Sequence, residues 1–538
     1  MLRSFALISA IALLIIATPG RADTTHSAAD AAAEQCKALT EADFSGVADA
    51  PTQIGTAKLV DNAAELLNGL ASWLPPETLA TAVKNYSGMR PFCRVTGYVV
   101  PNVGFEMLLP VGHWNGKFLH VGCGGWCGTT SFVALSCVKH PDYACIGTDM
   151  GHTGVGGLWY RDNLQAQVDF SYRATHVATL AGKAIVARYY ATTPHKSYFM
   201  GCSTGGYQAM VEAQRFPWDF NGIVAGAPDM DEADLAVRGL WIKKNFLGAD
   251  GKPVLSSADI QLVHSAALAK CDMDDGVKDG IIGDPFHCKF DPQELLCKAG
   301  KDSKCLSAQQ VQAVKNIYGV PVTSKGVRIS SRGVFPGSEN NWSESFTQTW
   351  GDMYFKDIGL FNVAGKEWSY KDYDFDRDAP RSGVGVMFPD TNPDLRQFKA
   401  TGAKLLSYQG TNDSLEIPGG VFDYYDTVER TMGGRAATQD FYRLFAIPGM
   451  NHCLDGDGVS QFDYLSYLET WVEQGRAPDV MVGAHFDGLK KYESSVLDYP
   501  AHPGTPPAFT RPVYPYPLHA KYKGKGDPNK AENFGPAQ

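Results

Sequence analysis

"SYFMGCSTGGYQA", residues 197–209, follows an apolar run, precedes a helix-forming one, and sets a serine between two glycines. Gly201-Cys202-Ser203-Thr204-Gly205 satisfies G-x-S-x-G, a pattern that places a serine on a sharp turn between a strand and a helix. The glycines two before and two after let the backbone bend and lift the Ser203 hydroxyl to the top of a sheet. Amides at the start of the helix "YQAMVEAQRF" then point at the same spot. A Gly-rich helix start is the ordinary alternative for so short a stretch, and the surrounding chain has to decide between the two.

Outward from this turn, buried strand-like runs alternate with helical patterns: "GKFLHVG" (116–122), "YACIGTDMG" (143–151) and "GIVAGAP" (222–228), with an amphipathic helix predicted over 167–190 from Val177, Leu180, Ala184 and Val186. Strand, helix, strand in this order predicts an α/β fold with a mostly parallel sheet covered by helices. The alternation lapses over 229–398 and resumes at "AKLLSYQG" (403–410) and "FYRLFAIPG" (441–449). The predicted organisation is therefore a signal peptide (1–22), a first part of the core (23–228), an inserted lid (229–398), and a second part of the core with a Pro- and Gly-rich tail wrapping the surface (399–538).

A serine nucleophile needs a base and a carboxylate to orient it. In an α/β-hydrolase these follow in the order Ser, Asp or Glu, His, each just past a strand. Asp413 in "LLSYQGTNDSLEIP" and His452 in "LFAIPGMNHC" stand in those places. Asp426 and Asp440 are weaker acids for the role, because their helix-like or polar surroundings suit a solvated carboxylate. For the oxyanion, one donor is the Thr204 amide, and the second comes from the loop "GCGGWCG" (122–128), with Gly124 or Gly125 the candidates.

"MLRSFALISAIALLIIATPGRADTT" carries Arg3, an apolar run from Phe5 to Ala17 and small residues up to Ala22, which predicts cleavage near Ala22 and a secreted or periplasmic protein. The run is short for a membrane span, which needs about 20 residues. The formal charge of −10 argues against nucleic acid or an anionic membrane as partner. In an oxidising compartment the twelve cysteines favour disulfides. Cys453 follows His452 as Cys202 precedes Ser203, so a fold that joins serine and histidine also brings these cysteines within reach of each other. Cys123, Cys127, Cys137 and Cys145 allow three pairings, which the sequence leaves open.

"CDMDDGVKDGIIGDPFHC" (271–288) concentrates Asp272, Asp274, Asp275, Asp279 and Asp284 between two cysteines. It does not fit the EF-hand template, yet closely spaced carboxylates with glycines suit Ca²⁺, which takes about 6–8 oxygens. A solvated acidic loop is the alternative.

Taken together, "GCSTGG", "GTNDSLEIP" and "PGMNHC", with "GKFLHVGCGG", "GTDMGH", "FNGIVAGAP", the acidic cluster and "RPVYPYP", resemble the tannase and feruloyl esterase family over nearly the whole mature chain. The resemblance implies an α/β-hydrolase with a lid, esterase activity on gallates, hydroxycinnamates or mono(2-hydroxyethyl) terephthalate, and a CS-D-HC arrangement in which Cys202 and Cys453 are joined. It implies a structural Ca²⁺ held by Asp272, Asp275 and Asp279 with the carbonyls of Val277 and Ile281. It also implies Cys36–Cys93, Cys271–Cys288 and Cys297–Cys305. The chain departs from many relatives in having Tyr514 where a C-terminal disulfide would begin and no cysteine near Gly535, which puts the tail's anchoring in question.

The resulting expectation is a serine carboxylesterase for a small aromatic ester. Trp368 or Tyr373 are candidates to hold the acyl ring, with Leu415 and Glu416 at the pocket wall. Gallate calls for polar partners to its ring hydroxyls, whereas a terephthalate monoester calls for a cation, for which the lid offers Arg328, Arg332, Arg377 and Arg381. A calcium-stabilised binding protein on an inactive hydrolase fold is the alternative from another class.

Overall fold

Apolar and aromatic residues dominate β4 (Lys117–Val121), β5 (Ala144–Thr148), β6 (Lys196–Cys202), β7 (Gly222–Gly226), β8 (Lys404–Gly410) and β9 (Tyr442–Ile447). Strands covered by helices on both faces lose the alternation of polar and apolar residues, and β5 and β7 are accordingly buried at every position. The computed structural model describes residues 28–538 except 73, 155, 348–351, 353, 360–367, 383–389 and 489–505, so the predicted signal peptide lies outside the described residues. Among the described residues no helix is long and apolar enough to cross a membrane.

The main sheet has nine strands in the order β1-β2-β3-β5-β4-β6-β7-β8-β9. From β5 to β9 all neighbours are parallel, as the strand-helix alternation predicts. Three antiparallel strands extend the other edge: β1 (Thr52–Val60), β2 (Phe92–Val99) and β3 (Val103–Pro110). No strand is predicted there from the sequence: β2 and β3 follow one another with no helix between them, and a bulge between Ile54 and Thr56 breaks the period of β1.

On one face, Phe118, Ile146, Phe199, Ile223 and Leu405 pack with Val177, Ala181 and Met210 from the helices Ala174–Tyr190 and Thr204–Arg215. On the other, residues adjacent to these along the strands, Leu119, Tyr198, Val224 and Leu406, pack with Val133, Leu465 and Leu468. The segment predicted helical over 167–190 is helical throughout but passes through a π turn at Asp169–Arg173, where the fully buried Asp169 accepts a hydrogen bond from Arg173 at 2.7 Å.

Between β7 and β8 the inserted segment builds helices Glu232–Phe246, Ser257–Cys271 and Ala308–Tyr318 around a separate apolar cluster that includes Phe246, Val263, Val314 and Trp342. The tail does more than wrap the surface as extended chain. β10 (Met481–His485) pairs with β11 (Phe509–Val513), and β12 (His519–Tyr522) pairs with β13 (Phe534–Ala537). Tyr516 donates its amide to Leu444 at 2.7 Å and Phe534 is buried, so backbone pairing and packing anchor the tail that lacks a disulfide.

All twelve cysteines are paired. Cys202–Cys453, Cys36–Cys93, Cys271–Cys288 and Cys297–Cys305 form as expected. The open set resolves into Cys123–Cys127 and Cys137–Cys145.

Candidate active site

β6, β8 and β9 run parallel with β7 between the first two, so the residues just past their carboxyl ends share one edge of the sheet. In open α/β sheets that edge is where ligands bind. Ser203 follows β6, Asp413 follows β8 and His452 follows β9.

Ser203 has φ 63° and ψ −127°, a conformation that a non-glycine residue holds only when its surroundings fix it. Those surroundings are glycines. A Cβ at Gly201 would lie 2.5 Å from the Gly205 carbonyl oxygen, and one at Gly206 would lie 2.3 Å from that of Gly226. Only bare backbone lets the strand turn into the helix this tightly. Thr204 opens the helix Thr204–Arg215, so its amide is one of the N-terminal donors left without an intrahelical partner. The loop carrying Gly124 and Gly125 is tied to that helix: Gln208 accepts from the Cys123 amide at 2.9 Å, and the Thr204 hydroxyl donates to the Gly125 carbonyl at 2.5 Å. Both glycines and Thr204 line the cavity above Ser203.

Asp413 is fully buried and accepts at Oδ2 from His452 Nδ1 at 2.8 Å. Its Oδ1 accepts the amides of Leu415 and Glu416 at 3.0 and 2.9 Å. Burial alone would raise this carboxyl; the His452 charge, its hydrogen bond and the two amides reverse that and hold it below the ordinary carboxylate range. For His452, burial favours the neutral ring, but Asp413 and then Glu416 and Asp229 outweigh it and push the imidazole up to about 9. The Cys202–Cys453 bridge, with Cα atoms 5.9 Å apart, ties the loop of Ser203 to the loop of His452.

Ser203 donates to Glu416 Oε1 at 3.4 Å, and the same oxygen lies 3.9 Å from His452 Nε2. Glu416 Oε1 thus lies within reach of both Ser203 and His452. The sequence reading placed it at the pocket but did not foresee this contact. Catalytic hydrogen bonds are often unformed before substrate arrives.

The cavity over Ser203 has a volume of about 360 Å³ and is walled by Trp126, Phe170, Tyr207 and Tyr354. Two expectations fail here. Tyr373 is buried against Phe355 with its hydroxyl paired to Ser382, and Trp368 packs on the same Phe355; neither lines the cavity, and Tyr354 supplies the lid aromatic instead. The four candidate arginines also lie elsewhere: Arg328 pairs with Asp423, Arg377 and Arg381 with Asp378, and Arg332 lies over the Phe335 ring.

Two residues escaped the sequence reading altogether. Asp229 and Glu232, which start the inserted segment, line the cavity with Glu416. Their signal was positional: they come just past the end of β7, the strand beside the nucleophile strand. Burial, and then mutual repulsion, holds Glu232 and Glu416 well above the ordinary carboxylate range, and burial also raises Asp229.

In the acidic loop, Asp272 and Asp275 are buried. Asp272 accepts from the Asp279 and Gly280 amides and Asp275 from the Val277 amide. Asp279 gives one oxygen to the Ile281 amide and the other to Arg511 at 2.6 Å. Two buried carboxylates satisfied only by amides leave lone pairs for a hard cation, while the Arg511 contact reduces what Asp279 can offer. Among the described residues, the one set of three potential metal-ligating side chains with donor atoms within 4.8 Å of one another lies elsewhere, at His176, Glu212 and Asp219. There the Lys183 ammonium already donates to the Asp219 carbonyl and supplies positive charge to both carboxylates.

A nucleophile elbow, a buried Asp–His pair and an aromatic cavity at one sheet edge define a carboxylic ester hydrolase of the α/β-hydrolase class. The chain belongs to the tannase and feruloyl esterase family, whose profile matches residues 87–537. It is 31% identical over 562 residues to the mono(2-hydroxyethyl) terephthalate hydrolase of Piscinibacter sakaiensis, covering 88% of each chain. It is 32% identical over 457 residues to a probable feruloyl esterase of Arthroderma benhamiae, covering 78% of this chain and 80% of that one. Its structure is similar to that of feruloyl esterase B from Aspergillus oryzae, with a TM-score of 0.79 at 25% identity over 94% of this chain and 100% of that one.

Proposed function

We propose that this protein hydrolyses esters of aromatic acids, of the gallate or hydroxycinnamate kind, through an acyl-enzyme on Ser203. The observation that carries this reading is the 2.8 Å bond between His452 Nδ1 and the buried Asp413, set beside a serine on a strained turn and below an aromatic cavity. Ser203 turns to His452 Nε2, gives up its proton and attacks the ester carbonyl. The Thr204 amide and an amide of the Gly124–Gly125 loop receive the oxyanion. His452 passes the proton to the departing alcohol, Asp413 stabilises the imidazolium, and water releases the acid by the reverse route.

A terephthalate monoester, suggested by the name of one relative, brings a free carboxylate that calls for a cation. No Lys or Arg lines the cavity among the described residues, which favours the uncharged aromatic acids. A binding protein on an inactive fold is disfavoured by the Asp413–His452 pair. Six disulfides fit an oxidising compartment and support secretion or export to the periplasm. Asp272 and Asp275, with Asp279 and the carbonyls of Val277 and Ile281, would hold the structural Ca²⁺.

The test is hydrolysis of methyl gallate, methyl ferulate, chlorogenate and the terephthalate monoester beside p-nitrophenyl acetate. Ser203→Ala should lower kcat by about 10³-fold or more. Full activity in that variant overturns the mechanism, and no aromatic ester cleaved faster than p-nitrophenyl acetate overturns the acyl assignment.

A further inference from the structure

Two cavities meet at His452. The one over Ser203 contains Asp229, Glu232 and Glu416. A second, of about 410 Å³, shares Leu415, His452 and Leu454 with it and contains Glu344, Asp455 and Asp487. Among the described residues neither cavity is lined by a Lys or Arg. The cleft therefore brings carboxyl groups to both sides of the reacting centre, with His452 and, in the second cavity, His485 as the ionisable nitrogens.

The carboxyls of the first cavity are also short of partners. Glu416 Oε2 and Asp229 Oδ1 are buried with no hydrogen-bond partner, although the Glu416 side chain is 11% exposed, toward the cleft. A buried carboxyl oxygen left without a partner carries a desolvation penalty that nothing offsets. Burial raises the ionisation of all three groups, and repulsion from Asp229 adds to it at Glu232 and Glu416. Positive charge reaches Asp229 first from His452 and then from Arg238, and Arg238 is itself paired with Asp234. A ligand that supplies donors and positive charge relieves both penalties at once, whereas an anion adds a further like charge.

Resting on the ester-hydrolase reading above, we infer that Asp229, Glu232 and Glu416 make the cleft selective for aromatic esters that carry an ammonium group, and against anionic ones. The group is recognised by charge-assisted hydrogen bonds, which are about twice as strong as neutral ones. It enters on the acyl side or on the alcohol side of the ester, since Glu416 lies beside the serine where the two meet.

The experiment compares kcat/KM for methyl 4-(aminomethyl)benzoate, methyl 4-(hydroxymethyl)benzoate, methyl 3,4-dihydroxybenzoate and monomethyl terephthalate. A second arm pairs 2-(dimethylamino)ethyl benzoate, whose amine is protonated and carries an N–H donor at neutral pH, with its uncharged 3-methylbutyl analogue. The expected result is a preference of about tenfold or more for the cation over its neutral partner in at least one arm, and a penalty of similar size for the anion. The readout in Asp229→Asn, Glu232→Gln and Glu416→Gln is the cation-to-neutral ratio within each variant, so any loss of fold or turnover common to both substrates cancels. At least one of these ratios should fall toward one. A flat ratio in the parent protein, a preference for the dihydroxybenzoate or the anion, or ratios unchanged in all three variants overturns the inference while leaving the esterase reading intact. Failure of every ester, p-nitrophenyl acetate included, would instead remove the reading beneath it.

Discussion

Replacing both Cys202 and Cys453 by alanine separates two contributions of one bond. The bridge spans 251 residues, and in the chain-entropy treatment closing a loop of that length destabilises the unfolded chain by about 5.5 kcal/mol, an upper value. Net stabilities are commonly about 5–15 kcal/mol, so the variant should lose a large part of its stability and unfold at markedly lower denaturant. The local contribution is geometric: the bridged cysteines adjoin Ser203 and His452, and a misplacement of about 1 Å in such a pair can cost about 10²-fold in rate. Guanidinium unfolding followed by tryptophan fluorescence measures the first effect, and kcat on p-nitrophenyl acetate without denaturant measures the second. The expectation is that both fall, with kcat reduced in protein that is still folded. Unchanged kcat alongside reduced stability would refute the pinning of nucleophile to base, and unchanged stability would refute the loop-closure argument.

The pH dependence should show the carboxylates around the base. Neutral His452 accepts the serine proton, and a ring held up to about 9 places the acid limb of kcat/KM on the alkaline side of an ordinary imidazole, so activity rises with pH through that limb. Glu416→Gln removes a negative charge 3.9 Å from Nε2, an attraction of about 1 kcal/mol even at the dielectric of water, so the limb should move down by about 0.8 pH unit or more. An unmoved limb in a pH–rate profile would mean that Glu416 is uncharged where the base titrates. For the acidic loop, chelation should lower the melting temperature and added Ca²⁺ restore it, a stabilisation of about 2.7 kcal/mol at a hundredfold excess over Kd. Asp275→Asn should abolish the Ca²⁺ response in calorimetry, and an identical melting curve with and without chelator in the parent protein would remove the ion.

The parallel half of the sheet was legible because strands buried on both faces, such as "GIVAGAP", stand out as short apolar runs between helical patterns. The antiparallel half was not, since β2 and β3 are joined with no helix between them and β1 carries a bulge. At the site, the placement of Ser203, Asp413 and His452 was readable from local rules, because each is the residue type the proposed chemistry needs just past a strand. The Cys202–Cys453 pair was readable from adjacency to two of them. The lid was a different problem. Tyr354 and Tyr373 are both lid tyrosines, and which of them faces the cavity depends on how the inserted helices pack, a matter that no local pattern encodes.

Asp229 and Glu232 show a further limit of local reading. Beside a strand end, an acidic pair is most often solvated, and nothing in "GAPDMDEADL" distinguishes a solvated pair from one turned inward. Topology decides it: β7 lies between the strand that ends at the nucleophile and the strand that leads to Asp413, so residues just past β7 stand at the centre of the reacting edge. Glu416 arrives there by another route, since its own amide binds Asp413 and thereby fixes its side chain within reach of Ser203 and His452. The residue whose amide orders the loop around Asp413 also raises, through its carboxyl, the ionisation of His452, which disfavours the neutral ring that the proposed mechanism requires. A substrate ammonium engaging Glu416 would reduce that hold on His452, and the charge of the substrate would then favour both its binding and its own hydrolysis.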